Sequence, residues 1–359
     1  MEEIRFVDHK KYLKKLLKKK IKNFFLSFFP NSFLLKLMEK NYTDLGLEIS
    51  NACNANCSFC AYRFQKRSLY IMDFKMFKKT IDLYSKDGGG TVSFTPVVGD
   101  PLVDKSLIEK IRYARSKKNI HSVFMYTNAI YLDRYNLKEL VQSGVTRIAI
   151  STYFGTRKLY KKYYGVDEYQ RVIKNIINIA KLNIKYNKPI HFTMHLRVEQ
   201  PEEKWRKNKD FLEIGKLIGF ENMSFKTAYE NWSGYITEKD LPKGSTLGEI
   251  VPNEKKFKEP CWELYRKLYI MSDGNVGVCA SRDIEGEINI GNINSDTLTN
   301  IWRGKKIKKF RSNWKKGILP KVCVKCDRYK PISDYIKENK FSILKTQIFD
   351  RTRKMRNKV

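Results

Sequence analysis

Three cysteines lie within eight residues in the stretch CNANCSFC, at Cys53, Cys57 and Cys60. Such short spacing allows one loop to wrap a single inorganic centre, and thiolates are the ligands that iron–sulfur clusters and zinc prefer. Three thiols are one ligand short of a closed tetrahedral zinc site, and no obvious fourth ligand follows nearby. The spacing therefore favours a [4Fe–4S] cluster with one iron open to another ligand, with a zinc loop or buried structural thiols as the alternatives.

The remaining four cysteines lie towards the C-terminal end of the sequence. Cys261 and Cys279 are separated by 17 residues, and Cys323 and Cys326 form a C-x2-C pair. Four thiols in one short segment can close a metal site, and the residues alone leave zinc and an iron–sulfur cluster as the two possibilities. Clustered thiols of this kind are typical of reducing compartments, so we expect a cytoplasmic protein.

Strand-like and helix-like segments alternate between the two cysteine groups. The pattern predicts strands at 45–50, 91–98, 121–127, 145–151, 190–198 and 222–228, and helices near 73–86, 104–118, 134–143, 167–187 and 208–218. Alternation of this kind indicates parallel βαβ units, and six of them predict an α/β fold with an open or partial barrel. In such folds ligands collect at the C-terminal ends of the strands, where Cys53, Cys57 and Cys60 also fall.

The charge is strongly positive, with 71 Lys and Arg against 38 Asp and Glu. Residues 10–38 show apolar pairs about one helical turn apart and a lysine-rich opposite face, which predicts an amphipathic helix ending near Pro30. Such a helix suits peripheral contact with the inner face of a membrane, or it packs on the body of the protein with solvated lysines. The overall charge is explained equally by composition bias or by affinity for anions, and we expect no specific nucleic-acid partner.

Composition shifts divide the sequence into five segments. We predict a basic amphipathic extension at 1–43, the barrel at 44–230, a linker rich in Gly and Pro at 231–260, a small cysteine-containing domain at 261–330 and a basic tail at 331–359.

The motif CNANCSFC resembles the signature of the radical S-adenosylmethionine (radical SAM) enzymes, whose fold is a partial (β/α)6 barrel. This resemblance implies that Cys53, Cys57 and Cys60 hold a [4Fe–4S] cluster and that SAM binds the open iron. Reduction of the cluster by a flavodoxin or ferredoxin-type donor would cleave SAM to a 5′-deoxyadenosyl radical, which removes a hydrogen atom from a substrate. The same resemblance implies SAM contacts at Phe59, at Gly99, Asp100 and Pro101 in the stretch VVGDP, and at Asn128, Ser151 and Arg197.

Residues 261–326 resemble the auxiliary-cluster region called SPASM, or its shorter form called twitch. The full SPASM pattern has further cysteines after its C-x2-C pair, and none follows Cys326 here. The resemblance therefore implies a small C-terminal domain with one auxiliary [4Fe–4S] cluster, held by Cys261, Cys279, Cys323 and Cys326. The spacing is most similar to that of a twitch-type member that oxidises an alcohol on an aminocyclitol.

A second cluster that accepts electrons makes two-electron oxidation of a small-molecule substrate the first hypothesis. The substrate would be a sugar, cyclitol or related polar molecule, and the positive charge suits a phosphorylated or lipid-linked one. Asp283 and Glu230 are the candidate bases, and Tyr229, Trp232 and Arg282 are candidate pocket residues. The alternatives are a peptide-modifying or protein-modifying maturase and a non-enzymatic metal-binding scaffold on membranes or nucleic acid.

Overall fold

Six parallel strands alternate with helices, as the sequence pattern predicts. The computed structural model describes residues 26, 28–250, 252–256 and 258–349. Its first six strands are β1 Asp44–Leu47, β2 Gly90–Ser93, β3 Ile120–Thr127, β4 Arg147–Tyr153, β5 His191–Arg197 and β6 Met223–Lys226. Each strand pairs in parallel with the next along the chain, so all six carboxyl ends lie at one edge of the curved sheet.

Helices connect these strands, and one further helix precedes β1. They are α1 Asn31–Lys40, α2 Phe74–Lys86, α3 Leu107–Ser116, α4 Leu137–Val141, α5 Arg157–Tyr164, α6 Tyr169–Lys185, α7 Glu203–Arg206 and α8 Lys209–Ile218. Side-chain caps begin several of them, as when Asp73 accepts from the backbone N–H groups of Lys75 and Met76 at the start of α2. The longest, α6, buries apolar residues at helical spacing, including Val172, Ile176 and Ile179.

The C-terminal cysteine segment does not fold as a separate layer, because its strands extend the barrel sheet. Strand β9 (Lys267–Ile270) pairs in parallel with β1, and β10 (Asn275–Gly277) and β11 (Gly291–Asn292) follow in antiparallel order. The sheet therefore has nine strands where the sequence pattern predicts six. Gly46 permits this junction, since a Cβ there would lie 2.7 Å from the Tyr269 ring.

Shorter elements complete the described structure. The predicted linker contains β8 (Thr246–Leu247) and the short helix α9 (Asn253–Lys256). Strand β8 pairs with β7 (Ala228–Tyr229), which lies just before the linker. The α-helices that follow are α10 Leu298–Arg303, α11 Lys305–Lys315, α12 Lys321–Val324 and α13 Ile332–Leu344, with a π-helical turn at Lys345–Phe349 and several 3-10 turns elsewhere in the described ranges. The fully buried Trp302 of α10 donates its indole N–H to the Met38 carbonyl and so joins this region to α1.

The predicted N-terminal amphipathic helix lies mostly outside the described residues. What is described is a turn before Pro30 and the separate helix α1, which Pro30 precedes. Of the helices in the described ranges, none combines the length and the apolar character that crossing a bilayer requires. Membrane contact through residues 10–38 stays a prediction, as do the segment boundaries.

Candidate active site and cluster-binding residues

A cavity of about 660 Å³ occupies the inside of the curved sheet. Strands β1 to β6 and β9 line it, and it reaches the edge where their carboxyl ends meet. Ten of the predicted cluster, SAM and catalytic residues line this cavity: Cys53, Cys57, Phe59, Cys60, Gly99, Asp100, Asn128, Ser151, Arg197 and Glu230. The predicted pocket residues Tyr229, Trp232 and Arg282 line it too. Pro101, Asp283 and the four C-terminal cysteines do not line it.

Backbone contacts hold the loop that carries Cys53, Cys57 and Cys60. The backbone N–H groups of Asn56 and Ser58 donate to the Tyr164 and Tyr163 carbonyls, at 3.0 and 2.9 Å. On the other side the Ala52 carbonyl accepts from the Asp100 N–H at 2.9 Å. The loop is therefore fixed between the turn after β2 and the end of α5.

Gly99 and Asp100 shape the turn that faces this loop. Gly99 has φ +126, and a Cβ there would lie 2.9 Å from the Ser50 carbonyl, so only glycine fits. The buried Asp100 carboxylate accepts from the hydroxyl of Thr127 and from the backbone N–H groups of Leu102 and Asn128. Burial raises the pKa of Asp100 to about 6. Its side chain thus clamps the turn to the end of β3.

The remaining predicted SAM contacts surround the same end of the cavity. Asn128 donates to Asn54 Oδ1 at 2.7 Å and lies 3.9 Å from Cys53 Sγ, which ties the end of β3 to the cysteine loop. The Arg197 guanidinium lies 5.2 Å from the Phe59 ring centroid and 4.7 Å from that of Tyr229. The cavity end therefore combines a cation, an aromatic wall and polar strand ends.

The chemistry of the first three thiols fits a cluster. Burial raises the pKa of Cys60 to about 11, and burial together with the neighbouring groups raises the pKa values of Cys53 and Cys57 further. A thiol binds metal as the thiolate, so a bound iron centre is what would stabilise three such anions side by side. In the described ranges no three His, Cys, Asp or Glu side chains are placed for a single metal ion, so the fit rests on thiol number, burial and position.

The four C-terminal cysteines line one small buried pocket of their own. Burial raises the pKa of Cys279 to about 11 and raises the pKa values of Cys261, Cys323 and Cys326. The buried Lys256 ammonium donates to the Cys323 and Val324 carbonyls, at 3.2 and 2.8 Å. A cation beside four thiols suits a centre that carries net negative charge.

Two arginines separate this pocket from the large cavity and line both of them, Arg282 and Arg328. Arg282 is 2% exposed and donates to Asp327 Oδ1 at 2.8 Å, while its Nη2 lies 3.7 Å from Glu230 Oε1. Arg328 Nη1 donates to the same Glu230 oxygen at 3.2 Å. Glu230 is thus held on the partition between the two cysteine sites.

Asp283 takes a different position from the one its sequence context suggests. It is 1% exposed, and its two carboxylate oxygens accept from the backbone N–H groups of Glu287 and Ile288 at 2.8 and 2.9 Å. Burial raises its pKa to about 6. Since it closes a loop and does not reach the cavity, the structure leaves Glu230 as the one of the two candidate bases at the site.

Comparisons with known proteins agree with this geometry. Residues 47–212 match the radical SAM superfamily, and residues 261–327 match the iron–sulfur cluster-binding domain SPASM. This chain belongs to the radical SAM superfamily and carries a SPASM-type domain. The resemblance to radical SAM enzymes, which rests on the cysteine motifs, is therefore confirmed. The predicted α/β partial-barrel fold is confirmed as well.

Individual relatives of this radical SAM protein differ in what they act on. A probable GTP 3′,8-cyclase of Saccharolobus solfataricus is 29% identical over 234 residues, covering 64% of this chain and 71% of that protein. The structure of BtrN in complex with AdoMet and 2-DOIA has a TM-score of 0.54 at 17% identity, covering 82% of this chain and 96% of BtrN. Streptococcus suis SuiB bound to precursor peptide SuiA has a TM-score of 0.56 at 15% identity, covering 84% and 75%. Likenesses at such low identity establish the fold alone.

Membership in this family implies SAM, a [4Fe–4S] cluster and auxiliary cluster binding, and the residues present fit these groups. Cys53, Cys57 and Cys60 would hold the first cluster. The closed set of Cys261, Cys279, Cys323 and Cys326 would hold the auxiliary one.

Several residues that line the cavity were not predicted from the sequence. Arg147, Tyr126 and Lys226 line the cavity beside His195, and Tyr269 of β9 enters it from the C-terminal segment. The available signal was the two-residue period of each strand, which places Arg147 on the same face of β4 as Ser151. Tyr269 gave no such signal, because β9 has only four residues.

Proposed function

We propose that this radical SAM enzyme oxidises a hydroxyl-bearing small molecule, such as a sugar or cyclitol, by two electrons. The observation that supports this most is the position of Glu230, whose carboxylate faces the cavity and pairs with Arg282 and Arg328 on the wall of the four-cysteine pocket. A base at that point lies where an alcohol would lose its proton next to an electron acceptor.

When bound, SAM and a cluster held by Cys53, Cys57 and Cys60 would supply the acceptor for one hydrogen atom of the carbinol carbon, and a cluster held by the four C-terminal cysteines would supply the acceptor for one electron. Loss of one proton would then complete the conversion of alcohol to carbonyl. Glu230 accepts that proton from the hydroxyl group. Arg282 and Arg328 hold the carboxylate in place. The Phe59 ring packs edge to face against Tyr164 and Tyr229, with ring centroids 5.4 and 5.5 Å apart. These rings limit the access of water to the reacting end of the cavity.

Two other reactions are the alternatives. Cyclisation of GTP is suggested by the curated relatives, and the basic residues Arg147, Arg197 and Lys226 that line the cavity would suit a nucleotide. Modification of a peptide is suggested by the fold of SuiB, which was solved with a precursor peptide. Each predicts hydrogen abstraction from GTP or from a peptide, whereas the proposal predicts it from a sugar or cyclitol that gains a carbonyl group.

The test is to incubate the reconstituted enzyme with SAM, a reductant and a panel of sugars and cyclitols deuterated at the carbinol carbons. We expect deuterium in 5′-deoxyadenosine and one carbonyl product for each equivalent transferred. Replacing Glu230 with Gln should slow product formation by roughly 10²-fold or more while SAM binding is retained. The matched control is the exposed Glu249→Gln. Full activity of Glu230→Gln would exclude the proton-acceptor role. Deuterium transfer to 5′-deoxyadenosine from deuterated GTP or a deuterated peptide, but from none of the sugars and cyclitols, would exclude oxidation of a small-molecule alcohol.

The partners and location follow as part of this proposal. A flavodoxin or ferredoxin-type protein would supply the electron that reduces the first cluster. The protein would work in the cytoplasm, with peripheral membrane contact through residues 10–38. Co-sedimentation with anionic vesicles, with and without residues 1–40, tests that contact, and equal pelleting of both forms would exclude it.

A further inference from the structure

A small apolar cluster joins the two cysteine-bearing parts of the chain. It is separate from the main core and consists of six buried residues: Ala61, Val97, Val98, Tyr269, Met271 and Ile284. Ala61 directly follows Cys60, the two valines directly precede Gly99, and the other three residues belong to the C-terminal segment. The turn that carries Gly99 is therefore packed between the first cysteine loop and the C-terminal segment.

Strand register brings Tyr269 to this turn. Tyr269 of β9 lies opposite Gly46 of β1, and Gly46 lies opposite Ser93 of β2. Because Gly46 has no side chain, the Tyr269 ring can lie across β1, where a Cβ would come within 2.7 Å of it. Adjacent strands are about 4.8 Å apart, so a tyrosine that crosses one strand reaches the residues that follow the next.

The Tyr269 hydroxyl holds the backbone of the turn. It accepts a hydrogen bond from the Val97 N–H at 2.7 Å, and both groups are buried. Its own proton has two acceptors within reach, the Thr95 carbonyl at 3.4 Å and Glu48 Oε2 at 3.5 Å. Burial and the nearby Glu48 carboxylate raise the pKa of Tyr269, so the hydroxyl keeps that proton. Removing the hydroxyl would leave the buried Val97 N–H without this acceptor.

We propose that Tyr269 is a positioning residue for SAM, which fixes the backbone from Val97 to Gly99 in the conformation that binds the cofactor. Val97, Val98, Gly99 and Tyr269 all border the large cavity. The resemblance to radical SAM enzymes places a SAM contact at Gly99, two residues after the N–H that Tyr269 holds. A turn that is fixed before binding spares the cofactor the cost of ordering it. The C-terminal segment thus sets the affinity for SAM, whatever the substrate is.

The test is equilibrium titration of the full-length, cluster-reconstituted protein with SAM, comparing the parent with Tyr269→Phe. The phenyl ring keeps the packing on Gly46 and lacks only the hydroxyl. We expect SAM to bind about tenfold more weakly, which is about 1.4 kcal/mol. The reason is that the unpaired N–H lets the turn adopt other conformations, which SAM binding must then reverse. Iron per chain should equal that of the parent, which shows that cluster loading is not the cause.

Two further measurements test the same contact. Hydrogen exchange needs no SAM: amides in 94–99 should exchange faster in Tyr269→Phe than in the parent, whereas those of β4 should not change. Gly46→Ala places a Cβ against the Tyr269 ring and displaces its hydroxyl, so this variant should also weaken SAM binding. Unchanged exchange in 94–99, or parental SAM affinity in Gly46→Ala, would overturn the proposal.

The controls separate positioning of SAM from a general contribution to stability. If Tyr269 only stabilised the fold, the urea midpoint of Tyr269→Phe would fall while the folded variant bound SAM with parental affinity, and that result would overturn the proposal. Tyr113→Phe removes a hydroxyl that donates to Asp82 at 2.8 Å outside the cavity, and it should leave SAM binding unchanged. Equal weakening by Tyr113→Phe would also overturn the proposal. Because these assays contain no substrate, their outcome does not depend on whether the enzyme oxidises an alcohol.

Discussion

Glu48 is a buried carboxylate that joins three parts of the molecule, and its removal gives a sharp prediction. It is fully buried just after β1, and its two carboxylate oxygens accept hydrogen bonds from Nη1 and Nη2 of Arg67 at 2.9 and 2.8 Å. It also accepts from the backbone N–H and hydroxyl of Ser272, at 3.2 and 3.0 Å. Arg67 in turn donates from Nε to the Ile284 carbonyl. Glu48 therefore links the segment that follows the first cysteine loop to the C-terminal strands.

Replacing Glu48 with Gln removes the charge and turns an amide N–H₂ group towards Arg67 or Ser272. Breaking a buried pair by altering one partner costs about 3–5 kcal/mol, and because Gln keeps one acceptor oxygen we expect about 3 kcal/mol. The control is Glu139→Gln, whose pairing with Arg112 is about half exposed and is worth at most about 1 kcal/mol.

The assay is urea denaturation of both variants and the parent protein, with iron retained per chain measured in parallel. The Glu48→Gln midpoint should fall well below that of Glu139→Gln, and iron should be lost at lower urea. Equal midpoints for the two variants would show that Glu48 does not hold these segments together.

Two further predictions concern backbone strain and pH. Ala129 has φ +65, so Ala129→Gly should raise stability by up to about 1 kcal/mol, whereas Ala114→Gly inside α3 should lower it by a similar amount. A change of the urea midpoint in the same direction for both variants would contradict this expectation of opposite stability changes. The pKa of His195 falls from 6.5 in the unfolded chain to about 4 in the folded protein. The unfolded chain therefore binds the proton at a higher pH than the folded protein does. The free energy of unfolding should decline as pH falls from about 6.5 towards 4. His195→Asn should flatten that decline, and an unchanged slope would contradict the assignment.

The sequence predicted the barrel well because its elements carry local signals. The six strands occur where the pattern indicates, and the cysteine loop follows β1 as expected. Two helices of the barrel were missed. One is the four-residue α7 at Glu203–Arg206. The other is α5 at Arg157–Tyr164, whose lysines and tyrosines make it polar overall although Tyr160, Tyr163 and Tyr164 are buried.

What the sequence could not predict depends on long-range pairing. Strand β9 joins β1 across more than 200 residues, and nothing local in its four residues indicates that partner. Arg147 shares this limit, because it lines the cavity only through the curvature of the whole sheet. Asp283 is a local case: the N–H groups that it accepts belong to Glu287 and Ile288, four and five residues further along, in a turn without a periodic pattern.

We infer that the two cysteine sets hold two clusters with different tasks. Anaerobically reconstituted protein should contain about eight irons per chain and form 5′-deoxyadenosine from SAM when reduced. Cys57→Ala should retain about four irons and form none, whereas Cys323→Ala should lose the other four and still cleave SAM. A colourless parent protein that contains zinc, or a Cys57→Ala variant that still forms 5′-deoxyadenosine, would contradict the account.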